Sequence, residues 1–501
     1  MATFHAPFER IIRLSISEPI FDSAEPSAPA RRPGPLSQLW RESKVEALIF
    51  FGLLLGLAWA PFWLGGNRIT AWGINGVYFP TLTLLYECYL LTTGQPHPIG
   101  LRRLGAPATL FGLVLLWIGL QLAPTPPMLA HPIWGMAADA LGQPIDGAIS
   151  VNRGETLVSL IRLLTAASLF WLAVQLCRNS LRAHALLRAV SLIAAAYSAY
   201  AIILAAFFAG QIPPFDAPAS GGFLRATFVN RNSFATYAGL GLVVTVALTL
   251  RLFRHEVPAS AGLMRYRLTK FIEATGRRGW SLLGAGFVTV VALLGTVSRG
   301  GILATALGVF ALLAMSFSRQ QRRGGDRVEA VVFIAVALVA SFMFFGDLIV
   351  GRMATSGLED TSRISVYVVV MRSILDTPLL GFGYGTFADV FPMYRDQSIP
   401  VSGVWDKAHD SYLEIWQGLG LLFGSALILS VCWIAARCFR GALTRRRDAT
   451  PALAATAASI LVGAHALVDF SLQMEGVALT FLAILGAGAA QAESSLAVTS
   501  D

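Results

Sequence analysis

Long apolar runs separated by short polar intervals set the rhythm of this chain. A bilayer-crossing helix needs about 20 predominantly apolar residues. Runs of that kind fall near 46–64, 70–92, 105–123, 157–177, 185–208, 233–252, 280–297, 300–317, 328–350, 411–436, 452–470 and 474–491. The pattern predicts an all-α polytopic membrane protein of about 12 transmembrane helices, with no soluble domain among them. Residues 1–44 are a polar, proline-bearing extension expected to be a disordered tail, and 45–350 carry helices 1–9. Residues 351–410 form a long polar loop, 411–492 carry helices 10–12, and 493–501 are a second tail. Ala58-Trp59-Ala60 resembles a leader cleavage site, but it sits deep in the first run and Pro61 follows, so that span is read as retained.

The long loop has elements of its own. Thr361 or Ser362 is placed to cap a helix running through Val366 to Asp376, which Pro378 would stop. Its face of Ile364, Val368, Met371 and Leu375 is expected on the membrane surface or on neighbouring helices. Gly381, Gly383 and Gly385 of GFGYGTF then predict a sharp turn. No strand precedes them and the GxGxxG spacing is not met, which argues against a nucleotide fingerprint.

Composition strengthens the membrane reading: the chain is 55% hydrophobic and 13% charged, where soluble domains carry about 25% charged residues. A net charge of +9 invites a nucleic-acid partner. The basic residues, however, collect in alternate short loops, as topology demands. One set holds Arg102 and Arg103, then Arg178 and Arg182, then Arg254, Arg265, Arg267, Lys270, Arg277 and Arg278. It continues with Arg319, Arg322, Arg323 and Arg327, and with Arg437, Arg440 and Arg445 to Arg447. That set and both termini are therefore placed in the cytoplasm, and nucleic acid is not expected as a partner. Cys88, Cys177, Cys432 and Cys438 fall within or at the ends of apolar runs without metal-type spacing, and read as small packing residues.

The opposite side is poor in cations, yet Arg225, Arg231, Arg299, Arg363 and His409 all fall there. A cation kept where topology disfavours it needs another reason to be present. Arg225 opens RATFVNRNSFA, and Arg299 sits in VSRGG, where Gly300 and Gly301 permit close approach. Guanidinium groups hold phosphates bidentately, and a cluster of them would suit a lipid-linked diphosphate. Taken singly, each reads first as snorkelling toward headgroups, a preference that three gathered by the fold would reverse. His409 starts the tenth span with Asp410 beside it and Glu414 one turn on, a setting for a general base or for a packed, capped histidine. His465 and Asp469 stand at i, i+4 near the end of the eleventh span, on one helix face, as a structural hydrogen bond or a functional pair. The loop carboxylates Glu359, Asp360, Asp389, Asp396 and Asp406 match no metal-binding loop and read as solvated surface. Glu87 and Arg162, both inside spans, are candidates to pair.

Taken together, RATFVNRNSFA, Ser298 to Gly300, Arg363 with PLLGFGYGTF, AHDSYLEIWQGLG and HALVDFSLQ resemble the O-antigen ligase and polymerase superfamily of bacterial envelope glycosyltransferases. The resembling blocks span about 225–475. The resemblance implies a helical bundle related to the GT-C class, with 351–410 as a large periplasmic loop over a cavity in the inner membrane. It implies transfer of a glycan from undecaprenyl diphosphate to an acceptor hydroxyl, with lipid A core or a growing polysaccharide as acceptor, inversion at the anomeric carbon, and no metal or cofactor. Carried onto this chain, Arg225 and Arg299 would hold the diphosphate, Arg363 would assist them, and His409 would take the acceptor's proton, with Asp410, His465 and Asp469 in support. Asp410 stands where members often have Asn, and Gln417 where they often have Glu. A repeat-unit polymerase and a protein O-oligosaccharyltransferase share these motifs. A flippase for the same lipid-linked glycan is the alternative of another class, although no repeated halves are visible and the marked polar groups lie at the span ends rather than mid-bilayer.

Overall fold

The computed structural model describes residues 43–208, 222–256, 264–321, 357–399, 405–445 and 448–492. These residues form α1 (Lys44–Trp59), α2 (Ile69–Thr93), α3 (Leu101–Leu122), α4 (Ile133–Leu141), α5 (Arg153–Leu176), α6 (Ser180–Phe207) and α7 (Arg231–Glu256). There follow α8 (Met264–Gly295), α9 (Arg299–Gln321), α10 (Gly357–Asp376), α11 (Phe387–Tyr394), α12 (Ser411–Thr444), α13 (Thr450–His465), a 3₁₀ turn (Ser471–Gln473) and α14 (Glu475–Ala492). No strand occurs among the described residues.

Helices overlap every predicted span except 328–350, which lies outside the described residues. Seven of them, α3, α5, α6, α7, α9, α12 and α14, are long and apolar enough to cross a membrane, and two shorter apolar helices are Gly279–Gly295 and α13. The described residues are thus all-helical in their regular structure and carry the spans of a polytopic membrane protein. In α7 and α14, 78% of the apolar window is buried, against 44% or less in the other five, so these two occupy the centre. Their close packing depends on small residues, as is usual where helices meet in lipid. A Cβ on Gly488 of α14 would lie 2.1 Å from the Ala455 methyl of α13, and one on Gly241 of α7 would lie 2.2 Å from the Ala194 methyl of α6.

The two ends of the bundle differ in chemistry. At one end the basic residues of the first loop set close the structure. Arg437 donates to the Arg103 carbonyl, Arg319 to those of Ala442 and Arg445, and Arg178 to that of Ala490. Arg182 pairs with Glu46 at 2.5 Å, and Asp448 takes both Arg251 and His184. The cations of the opposite set gather at the other end.

Several expectations need correction. α10 starts at Gly357, so Thr361 and Ser362 lie inside it instead of capping it. The helix does end at Asp376, ahead of Pro378. Its Ile364, Val368, Met371 and Leu375 face is exposed, while Val366, Val369, Val370 and Ile374 bury against Phe387, Phe391 and Ile399. Glu87 and Arg162 do not pair: Glu87 accepts from Trp171 Nε1 at 2.7 Å and contacts His97, whereas Arg162 faces Glu475 at 3.7 Å and stacks over Trp72. Cys177 and Cys438 are buried as expected, but Cys88 and Cys432 are exposed on the bundle's perimeter.

Candidate functional site

The glycine-rich turn forms the platform on which the site is built. Gly420 breaks α12 with φ 75° and ψ 166°, freeing carbonyls just before it. Phe382 N–H donates to the Gln417 carbonyl and Gly383 N–H to that of Gly418, each at 3.0 Å, while Leu421 N–H reaches the Pro378 carbonyl at 2.7 Å. Gln121 of α3 braces the joint, donating to the Gly418 carbonyl at 2.8 Å and to that of Leu380 at 2.9 Å. The two backbones meet so closely that a Cβ on Gly381 would sit 2.4 Å from the Gly418 carbonyl oxygen, and one on Gly420 the same distance from that of Leu379. The Phe382 and Gly383 N–H groups are thus engaged by protein carbonyls, and the turn's glycines serve close packing.

The N-terminal segment of α12 is held by this clamp. Asp410 caps it, accepting from the Tyr412 and Leu413 N–H groups at 2.8 and 3.0 Å. His409 precedes the cap at φ 58°, a left-handed conformation that costs a non-glycine residue energy. Its carbonyl accepts from Tyr367 Oη of α10 at 3.0 Å, and its ring stands edge-on to Phe470 and Trp405, with centroids 4.8 and 5.8 Å away. Among the described residues the other non-glycine residues at positive φ are Leu64, Ala226 and Val297. Ala226 follows Arg225, and Val297 lies two residues before Arg299. Strain of this kind concentrates at functional sites.

Facing the His409 ring is Asp469. Its Oδ1 lies 3.9 Å from Nδ1, longer than a hydrogen bond but close enough for strong charge coupling. The expected shared helix face for His465 and Asp469 is not formed. α13 stops at His465, because Ser411 takes the Ala466 carbonyl with its N–H at 2.9 Å and the Asp469 carbonyl with its hydroxyl at 3.1 Å. Asp469 instead sits in the following turn, completely buried, and is served by side chains. Asn232 Nδ2 donates to it at 3.2 Å, and the Ser471 hydroxyl donates to its other oxygen. Burial alone would raise this carboxyl, but contact with His409, the charge of His465 and the Ser471 hydroxyl hold it below the usual carboxylate range.

The same web reaches the arginine corners. Ser298, next to Arg299, donates to Asn232 Oδ1 at 2.8 Å and accepts from Gly301 N–H at 3.2 Å. Thr236 of α7 lies 2.6 Å from His465 Nδ1 and 2.9 Å from Ser471 Oγ. A Cβ on Gly300 would approach the His465 ring to 3.1 Å, so this glycine, as expected, permits a close contact. The charge of Arg363 is felt at His465. Arg225 lines a cavity of about 390 Å³ whose wall includes Asn230, Arg231, Asp406, Phe470 and Met474. Arg299 and Arg363 are not among its lining residues.

The structure therefore gathers Arg225, Arg299, Arg363, His409, Asp410, His465 and Asp469 at one end of the bundle. Asn232, Ser298 and Ser471 were not singled out from sequence, although each lies inside a block quoted above. Asp406, read as solvated surface, lines the cavity. Beside the site lies a second, part-buried polar group. Glu414 accepts from Ala408 N–H at 2.6 Å and from Gln473, whose carbonyl accepts from Arg162, and Glu475 accepts from Asn75 at 2.6 Å. Among the described residues no set of three or more His, Cys, Asp or Glu side chains is arranged to hold a metal ion.

Fold and site together define a polytopic helical membrane protein with a cationic, histidine-bearing polar site at one end. Residues 284–429 match the O-antigen ligase family. The matched stretch carries Arg299, Arg363, the glycine turn and His409, while Arg225, His465 and Asp469 lie outside it. The match supports the resemblance of this part of the chain to the O-antigen ligase superfamily, and with it, at a coarse level, a glycosyltransferase-like enzyme of the membrane. No curated protein matches the chain.

Proposed function

We propose that this protein transfers a glycan from undecaprenyl diphosphate to an acceptor hydroxyl at the periplasmic face of a bacterial inner membrane, with both termini in the cytoplasm. The observation that carries this reading is the histidine at φ 58°, backed by a buried carboxylate and adjoining, through Phe470, the cavity lined by Arg225. With Nδ1 turned to Asp469, Nε2 is the nitrogen that takes the acceptor's proton. The hydroxyl oxygen then bonds to the anomeric carbon as the bond to the diphosphate breaks from the opposite side, inverting that centre. Undecaprenyl diphosphate departs with the bonding electron pair, and guanidinium groups stabilise the charge without a metal. Asp469, held ionised, stabilises the imidazolium that forms. Base catalysis of this kind contributes about 10²–10⁴-fold.

The acceptor is lipid A core or a growing polysaccharide. Ligase, repeat-unit polymerase and protein O-oligosaccharyltransferase activities differ in the acceptor alone, and product mass separates them. Purified protein in liposomes is given undecaprenyl-diphosphate oligosaccharide with and without lipid A core. Wild type yields a transfer product, and His409→Ala yields none while retaining donor binding. Near-normal turnover by His409→Ala removes the base assignment. Movement of donor across the bilayer without product replaces the transferase with a flippase.

A further inference from the structure

The cavity contains a residue that a plain phosphate site would not. Arg225 and Arg231 supply two cations to its wall, yet Asp406, an exposed carboxylate, lines it as well. A carboxylate repels phosphate, and being an acceptor only, it binds hydroxyl donors. A ligand that brings both negative charge and hydroxyl groups accounts for both signs in one cavity.

The arrangement orders such a ligand. Arg231 opens α7 and stacks its guanidinium face on Phe223, 4.1 Å from the ring centroid, which leaves its N–H groups lying in the plane of the stack. Arg225 is tethered by its Nη1 to the Val229 carbonyl at 3.3 Å. Phe470 offers an apolar surface to a sugar ring and touches His409 edge-on at 4.8 Å. Asp406 precedes His409 by three residues. At about 390 Å³ the cavity falls within the range of small-molecule sites, about 300–1,000 Å³.

We propose that this cavity is a glycosyl-diphosphate junction site, in which Arg231 shares the phosphates with Arg225 and Asp406 recognises hydroxyls of the first sugar. The assignment rests on the glycan-transfer reading for the identity of the ligand, and it gives a specific role to Arg231, otherwise only one of the outer cations, and to Asp406, which reads from sequence as solvated surface.

The test measures binding, not turnover. Full-length protein in nanodiscs is titrated with undecaprenyl diphosphate and, separately, with undecaprenyl diphosphate bearing a glycan. Arg231→Ala weakens both ligands by about 10–100-fold, the loss expected for a charge-assisted hydrogen-bonded contact. Asp406→Asn weakens the glycan-bearing lipid about tenfold and leaves the sugar-free lipid unchanged or bound more tightly. Equal effects of Asp406→Asn on both lipids, or on neither, overturn the sugar assignment, and unchanged binding by Arg231→Ala overturns the phosphate assignment. Thermal unfolding matched to wild type establishes that each variant is folded. The expected binding pattern in a wild type that makes no product overturns the transferase reading and retains the cavity. An active wild type without the pattern does the reverse. Failure of wild type to bind either lipid overturns both.

Discussion

Replacing Asp469 with Asn preserves side-chain volume and removes one charge, which makes it the most direct probe of the histidine's setting. At 3.9 Å a unit charge pair is worth about 4 kcal/mol at an effective dielectric of about 20. Water at the 22% exposed His409 side chain reduces this, so about 2 kcal/mol remains for stabilising the imidazolium as it forms. That is a loss of about 30-fold in kcat with little change in KM, because the charge develops only on the way to the transition state. The amide can still accept from Asn232 and the Ser471 hydroxyl can rotate, so the surrounding web survives the exchange. The stability consequence has a definite sign. The folded carboxyl lies below its unfolded value of about 3.9, so its contribution is complete above that pH and is lost as pH falls toward the folded value. The stability gap between Asp469→Asn and wild type should thus narrow as pH falls below about 4. Single-turnover transfer in proteoliposomes reads the rate, and a folded Asp469→Asn within twofold of wild-type kcat refutes the coupling.

Two further substitutions test what holds the site in place. Gly420→Val forces a β-branched residue to φ 75° and a Cβ to 2.4 Å from the Leu379 carbonyl oxygen. It should cost about 2–4 kcal/mol, and an unchanged unfolding temperature in detergent would rule out the clamp. Arg162→Met strands the buried Glu475 carboxylate, 5% exposed, at about 3–5 kcal/mol. Adding Glu475→Met should restore most of the lost thermal stability, and a double variant no better than the single one would show that the pair is not coupled.

Much of this architecture was legible because lipid imposes strong rules on sequence. Apolar run length placed the helices, and alternation of Arg-rich loops separated the basic end of the bundle from the end bearing Arg225, Arg299 and His409. What failed to show was decided by the ends of helices. His465 and Asp469 read as one helical face, but Ser411 captures the carbonyls that would have continued α13. The helical reading of Glu87 and Arg162 likewise gave their depth in the bundle and not their azimuth, and Trp171 and Glu475 became their partners. Asn232 was hidden because an asparagine at a helix start reads as a cap, a task that Asn230 performs by accepting from Asn232 N–H at 2.8 Å.

That division of labour between two asparagines explains how the site can be both strained and fixed. With Asn230 capping α7, Asn232 is released to join the Ser298 hydroxyl, beside Arg299, to the buried carboxylate that faces His409. Left-handed residues occur on three segments meeting here, at Ala226, Val297 and His409, and each would relax if its segment were detached. The hydrogen-bonded web and the glycine clamp oppose that relaxation from opposite sides, one through Asp469 and the other through the kink in α12. Loosening either therefore moves the histidine relative to the arginines without removing any of them. Because positioning errors of about 1 Å cost about 10²-fold in rate, loss of activity in this protein should follow disruption of Asn232 or Gly420 as surely as loss of a group that touches the substrate.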